Sequence, residues 1–257
     1  GIEHLVVVTS PSKPAIADYL EPSAQTESTL RQLGRSDLAD RIHRTGHEIE
    51  VTLVVQERAL GLGHAVACAR DAVRREPFFV MLPDELMGGS GLLRSMTDVH
   101  VEHGCSVIAV QRMATEDLSR YGVVAPRPGA LLDAAPESKA DVHDDLVVFD
   151  DVVEKPGLGR APSDLAIIGR YLLTNDIFDH LSRVQQGTNG EIQLTDALAA
   201  QARSTSSIAL VTSIARRDIG YPLGWMQAVV ESALRDPHVG TQVRRILNEL
   251  LESSVEH

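Results

Sequence analysis

Short aliphatic runs separated by longer stretches of helical periodicity set the layout of this chain. Leu5-Val6-Val7-Val8 is a continuous apolar run, as in a strand buried on both faces. A turn follows at 9–12 and a helix is expected over 14–19. Across 23–46, Leu30, Leu33, Leu38 and Ile42 recur at roughly helical spacing and predict one or two helices ending at Gly46. Residues 50–55 form the second strand. A Gly-rich turn, Gly61-Leu62-Gly63, leads into a helical pattern over 65–74. An apolar run over 78–82 then ends in Pro83-Asp84. Further on, the pattern predicts a flexible turn at 88–91, a helix over 92–103, a buried strand over 106–110 and a short helix or turn over 115–120. Residues 126–145, rich in Pro, Ala and Asp, read as a surface loop or hairpin. Strands over 146–154, 165–173 and 208–214 alternate with helices over 176–184 and 193–203, the first capped by Asn175 or Asp176. Helices over 223–235 and 242–252 close the chain. Alternation of this kind predicts an α/β fold with a mostly parallel sheet and helices on both faces. One domain spanning 1–257 accommodates it, without internal repeats.

Composition narrows the partners. The chain has 257 residues, 43% hydrophobic but only 4% aromatic, so the core is built from Val, Leu, Ile and Ala. Its formal net charge of -12 argues against a nucleic-acid duplex or an anionic membrane surface, both of which need basic patches. A nucleotide needs only a few local cations and stays open. Cys68 and Cys105 are isolated and lack metal-ligand spacing, which suits a reduced, cytoplasmic setting. No apolar run approaches the length of a membrane span, and no signal peptide is visible. The chain opens Gly1-Ile2-Glu3-His4 and enters a strand almost at once, as though the fold were entered partway.

Candidate chemistry clusters where strands end. In open α/β sheets ligands sit outside the carboxyl ends of the strands. Gly61 and Gly63 either connect a strand to a helix or let a ligand approach the backbone. Gln56 is either a polar strand end or an amide that reads a base edge. Asp84 is either a turn former or an oxygen ligand for Mg²⁺ beside substrate phosphates. Asp218, after the strand over 208–214, offers a second acid that could meet the same metal. Glu154-Lys155 is either a solvated ion pair or a hydroxyl acceptor beside a phosphate-neutralising cation. Glu191 lies in a polar helix start where acids are favoured by the helix dipole. His43 and His47 have i, i+4 spacing with no third ligand placed nearby and read as solvated helix residues. No Ser-His-Asp or Cys-His arrangement is suggested.

Five blocks together resemble a family. Residues 56–84, Ser119-Arg120-Tyr121-Gly122-Val123-Val124, Val152-Val153-Glu154-Lys155-Pro156, 161–171 and Gly190-Glu191-Ile192-Gln193-Leu194-Thr195-Asp196 are similar to the bacterial UTP–glucose-1-phosphate uridylyltransferases, in order and across essentially the whole chain. The resemblance implies a Rossmann-like fold of the nucleotide-diphospho-sugar transferase type and an Mg²⁺-dependent reaction of UTP with glucose 1-phosphate to give UDP-glucose. It implies that Gln56 and the Gly61 backbone recognise uracil, and that Asp84 holds Mg²⁺, with Asp218 as a second metal-binding acid. Gly122 and Glu154 would contact glucose, Lys155 would neutralise the sugar phosphate, and Glu191 would border the sugar pocket. It further implies a homodimer or homotetramer, with the C-terminal helices as candidate contacts. A thymidylyltransferase acting on glucose 1-phosphate, or a non-catalytic sugar-nucleotide regulator, are the alternatives. Two departures stand out. The family's first strand and G-x-G-x-R loop, which bind the triphosphate, would lie upstream of Gly1, so the chain as it stands is expected to have little activity and an exposed seam in its sheet. Tyr221-Pro222 follows Asp218-Ile219-Gly220 where the family commonly has Asn.

Overall fold

A computed structural model describes residues 2–13, 24–47, 49–89, 91–132, 145–187 and 189–253, together with 15, 16 and 20. Most of the helix expected over 14–19 lies outside the described residues. Strand β1 (His4–Thr9) pairs in parallel with β2 (Glu50–Val55), and helices α1 (Ala24–Gln32) and α2 (Ser36–His47) lie between them in the chain. Instead of being fully buried, β1 is half-buried along its length. Among the described strands it pairs with β2 alone.

Helix α3 (Leu62–Cys68) begins three residues earlier than its periodicity suggests and is shorter. The chain then turns through Ala69, with Ala72 and Val73 both donating to Ala69 O. Strand β3 (Phe78–Met81) follows, then a short strand β4 (Glu85–Met87) that the apolar pattern does not announce, and helix α4 (Gly91–His103). Strand β5 (Ser106–Arg112) leads through a 3-10 turn at Leu118–Arg120 to β6 (Gly122–Leu132), β7 (Asp145–Glu154) and β8 (Leu165–Leu173). Of the two readings for 126 onward, loop or hairpin, the hairpin fits: the chain is strand as far as Leu132, paired antiparallel with β7. Helices α5 (Ile177–Leu181) and α6 (Leu194–Ser204) precede β9 (Ser207–Val211) and β10 (Arg216–Asp218). Helices α7 (Pro222–Arg235) and α8 (Gly240–Ser253) end the described chain. Asp176 does not cap α5 with its side chain. Its carboxylate accepts instead from Thr174 Oγ1 and from Gln201 Nε2.

The central sheet has six strands in the order β3-β8-β5-β9-β7-β6. Strands β3, β5, β9 and β6 run one way, while β8 and β7 run the other. Most strands thus share a direction, although among the described neighbours only β5–β9 and β1–β2 pair in parallel. Alternation along β5 shows how both faces are covered. Ile108 and Val110 pack with Val66 of α3, Phe178 of α5 and Leu198 of α6. Val107 and Ala109 pack with Leu92, Met96 and Val99 of α4 on the other side. Successive side chains of a strand point to opposite faces, so one strand serves two helix layers. β4 and β10 form a separate antiparallel pair.

Candidate active site

The turn between β2 and α3 depends on Gly61, whose φ of 91° lies in the region that favours glycine. A Cβ there would stand 2.9 Å from both Glu191 Cβ and Ile192 O. One on Gly63 would stand 2.7 Å from Ile192 O. The turn is pressed against the loop before α6 and bonded to it. Gly63 N–H donates to Ile192 O (2.9 Å), and Ile192 N–H donates to Leu60 O (2.7 Å). Both glycines are needed for this docking, whatever else binds nearby. Gln56, one residue past β2, closes the turn: its Nε2 lies 3.2 Å from Gly61 O and 2.9 Å from His64 Nδ1.

Asp84 sits in a bend held from outside. Leu82 N–H donates to Gly169 O (3.0 Å), and Arg170 donates to Leu82 O (3.0 Å) and Glu85 O (2.6 Å). Asp218 ends β10 opposite Glu85 of β4. Ile219 N–H donates to Asp84 O at 2.7 Å, which ties the two acid-bearing segments together. Their carboxylates close on one point. A Cβ placed on Gly220 would lie 3.1 Å from Asp218 Oδ1 and 3.3 Å from Asp84 Oδ2. Asp218 Oδ1 accepts from Gly220 N–H (2.9 Å), and its Oδ2 accepts from Arg120 Nη2 (3.1 Å). The Arg120 guanidinium lies 5.7 Å from the Tyr121 ring centre and 5.4 Å from that of Tyr221. Among the described residues, no group of three or more His, Cys, Asp or Glu gathers as a metal site. The Asp84–Asp218 pair fits Mg²⁺ nonetheless, because that ion takes one or two carboxylates and fills its shell with water and phosphate oxygens.

A buried ion pair stands behind these acids. Glu85 Oε1 accepts from Arg216 Nη1 at 2.5 Å, with the two side chains 8% and 12% exposed. Arg216 also donates to Tyr121 Oη (3.0 Å) and Gln111 Oε1 (3.1 Å), and it lies over the Tyr121 ring. Burial pushes the Glu85 carboxyl above its ordinary value, with Arg216 opposing the rise. The network joins the β4–β10 pair to the Tyr121-Gly122 corner.

At that corner Gly122 pairs with Glu154 across β6 and β7. A Cβ on Gly122 would meet Thr195 Cγ2 at 2.9 Å and Glu154 Oε2 at 3.3 Å. Lys155 is the one non-glycine residue with positive φ (43°) among the described residues. Its N–H donates to Tyr121 O (3.0 Å), and its Nζ lies 3.7 Å from Glu154 Oε1. Backbone strain of this kind persists where the surrounding structure imposes it and is concentrated at functional sites.

The structure thus brings together Asp84 with Asp218, Gly122 with Glu154 and Lys155, and Gln56 with Gly61. Glu191 lies in the loop before α6, next to the Gly61 turn. Its Cβ abuts Gly61, and its Oε2 accepts from Asn189 Nδ2 (2.9 Å) and Gln193 Nε2 (2.7 Å). Thr195, four residues on, is the member of that block that touches Gly122, because α6 starts at Leu194 and turns Thr195 inward. Arg120, Thr195 and Arg216 carry no expected role in the sequence, and Tyr221, noted there as a departure from the family, lies against Arg120. Arg120 lies inside a block that the resemblance covers, but nothing in its spacing points to Asp218.

The family model for nucleotidyl transferases matches residues 1–232. A UTP–glucose-1-phosphate uridylyltransferase of Staphylococcus epidermidis is 35% identical over 251 residues, covering 97% of this chain and 83% of that protein. Among solved structures, a UTP-bound UGPase from Acinetobacter baumannii superposes with a TM-score of 0.81 at 30% identity, covering 97% of this chain and 84% of the other. A UDP-glucose pyrophosphorylase complexed with UDP-glucose gives 0.72 at 33% identity, covering 88% and 79%.

Proposed function

This chain belongs to the nucleotidyl transferase family, and from that premise we propose that it transfers a uridylyl group from UTP to glucose 1-phosphate. A phosphate oxygen of glucose 1-phosphate bonds to the α-phosphorus of UTP, the bond from that phosphorus to the bridging oxygen breaks, and pyrophosphate leaves. UDP-glucose is the other product. In such transfers the protein chiefly positions the partners and neutralises charge.

One observation carries the reading of the site: Asp84 and Asp218, on separate segments, turn their carboxylates to the same point beside Gly220. In our reading these two acids hold Mg²⁺. When bound, the ion supplies charge neutralisation at the phosphates. Gln56 and the Gly61 backbone hold the uracil. Gly122 lets Thr195 and Glu154 close in beside the glucose subsite, since a Cβ there would clash with Thr195 Cγ2 and displace that wall. Glu154 accepts hydrogen bonds from sugar hydroxyls. Lys155 extends its charge toward the sugar phosphate, and its positive φ supports that role because a strained lysine backbone needs a reason to persist.

The same reading gives a homodimer or homotetramer working in the cytoplasm. Leu223, Trp225, Met226 and Val229 on α7, with Ile246 and Leu251 on α8, expose large apolar side chains suited to a subunit contact. The two cysteines are both free thiols.

Pyrophosphate release by the full-length protein from UTP, glucose 1-phosphate and Mg²⁺ tests the proposal, with dTTP as the competing nucleotide. Faster use of dTTP would reassign the reaction to thymidylyl transfer. Asp84→Ala is expected to abolish the Mg²⁺-dependent turnover while the fold survives, since the acid lies outside the core. A near-normal kcat in that variant would sink the metal assignment.

A further inference from the structure

The Gln56 side chain carries two amide hydrogens, and both are engaged within the protein. Nε2 donates to Gly61 O at 3.2 Å and stands 2.9 Å from His64 Nδ1. A carbonyl oxygen only accepts, so the atom facing Gly61 O is the amide nitrogen and not the oxygen. The second hydrogen then points at His64, and Nδ1 must be the acceptor. The His64 proton therefore sits on Nε2. Turning the amide over would set Gln56 Oε1 against the Gly61 carbonyl, two acceptors face to face. Both anchors come from the same short turn. Gly61 is the N-cap residue of α3, and His64 lies in that helix's first turn. Cys68, one turn further along α3, flanks the His64 ring, with its Sγ 3.8 Å from Nδ1 and 3.9 Å from Nε2.

We infer that His64 is a positioning residue for base selection: by taking the second amide hydrogen of Gln56, it leaves Gln56 an acceptor-only reader. Oε1 is then the group that the side chain presents to a ligand. An acceptor pairs with a ring N–H, such as N3–H of the uracil imide. Cytosine offers a lone pair at N3 and is repelled. Without His64 the free amide hydrogen could donate to that lone pair, and the discrimination would fall. A pocket that must hydrogen-bond a particular group rejects an analogue that lacks it far more strongly than an apolar pocket rejects a change of size. Uracil and thymine share the N3–H, so this device separates imide pyrimidines from cytosine and leaves the methyl group unread.

The inference rests on Gln56 being the base reader, and the test separates the two. Isothermal titration compares UDP-glucose with CDP-glucose on the full-length protein and on His64→Phe, His64→Asn and Gln56→Ala. The native protein is expected to prefer UDP-glucose. His64→Phe keeps a ring but removes the acceptor, and it is expected to lose about tenfold of that preference, the scale of one hydrogen bond. His64→Asn sets an amide oxygen near the Nδ1 position and is expected to restore the preference to within about twofold. An unchanged preference in His64→Phe, with Gln56→Ala abolishing it, would overturn the role of His64 alone. An unchanged preference in Gln56→Ala would overturn base reading at Gln56 and the inference with it. Nitrogen NMR of the unsubstituted protein gives a readout that needs no variant: an Nε2–H tautomer at His64 is expected, and an Nδ1–H tautomer would refute the arrangement.

Discussion

Replacing Arg216 with Met would strip a buried carboxylate of its counter-ion. Glu85 and Arg216 are 8% and 12% exposed and 2.5 Å apart, and Glu85 Oε2 has no hydrogen-bond partner among the described residues. Arg216 therefore supplies the only side-chain support that the Glu85 carboxylate has there. Breaking one member of a buried pair costs about 3–5 kcal/mol, because the remaining charge stays desolvated. A domain of ordinary stability holds only about 5–15 kcal/mol, so the loss would be large. Urea unfolding of Arg216→Met, Glu85→Leu and the double variant reads it from the shift in midpoint at constant slope. The double variant is expected to recover most of the loss, since an apolar pair of similar volume needs no solvation. The pH dependence follows from the sign of the Glu85 shift. Its folded pKa lies above the unfolded one, chiefly through burial. The native state thus favours the protonated acid, and that contribution is complete below the unfolded value and lost as pH rises through the folded one. Without Arg216 to oppose the rise, the shift grows. The deficit of Arg216→Met should be greatest near neutral pH and close as pH falls toward the ordinary glutamate value of 4.5. A deficit under about 1 kcal/mol at neutral pH, or one that does not change with pH, would refute the argument.

Four other substitutions test the site and its surroundings. Lys155→Gly should relieve the positive φ and raise the unfolding free energy read from urea titration by up to about 1–3 kcal/mol, while kcat/KM for glucose 1-phosphate falls with the lost cation. A stabilised enzyme with full activity would rule out the phosphate role. Gly122→Ala should raise KM for glucose 1-phosphate, since the added methyl lands 2.9 Å from Thr195 Cγ2. Thr195→Ser, which deletes that methyl, should partly rescue it, and no rescue would place the clash elsewhere. Trp225→Glu on α7 should lower the molar mass measured by light scattering, and an unchanged mass would exclude this face as the subunit contact.

Much of the architecture was legible because apolar periodicity reports burial directly. The strand over 165–173 was read to the residue, since every position but Arg170 is buried in a central strand with no solvent-facing alternation to blur its ends. Burial is less informative where packing is weaker. β4 is only three residues long and shows no run. β6 continues past Pro126 because its pairing with β7 tolerates irregular register there, and no local residue signals it. Pairing direction is likewise invisible: β8 looks like any buried strand yet runs against its partners β3, β5 and β6 alike.

The site divides along the same line. Sequence by itself determined which residue types stand at strand ends and, through five blocks in order, the kind of reaction they serve. Side-chain identity and local spacing are enough for that, since the chemistry of a carboxylate, a lysine or a glycine turn is carried by the residue. Only tertiary structure decided who meets whom. It set Asp218 beside Asp84 across the β4–β10 pair, put Thr195 against Gly122, and laid Arg120 on Asp218 between two tyrosine rings. Those contacts join residues far apart in the chain, and their distances are fixed by sheet register and backbone hydrogen bonds, which no single stretch of sequence contains.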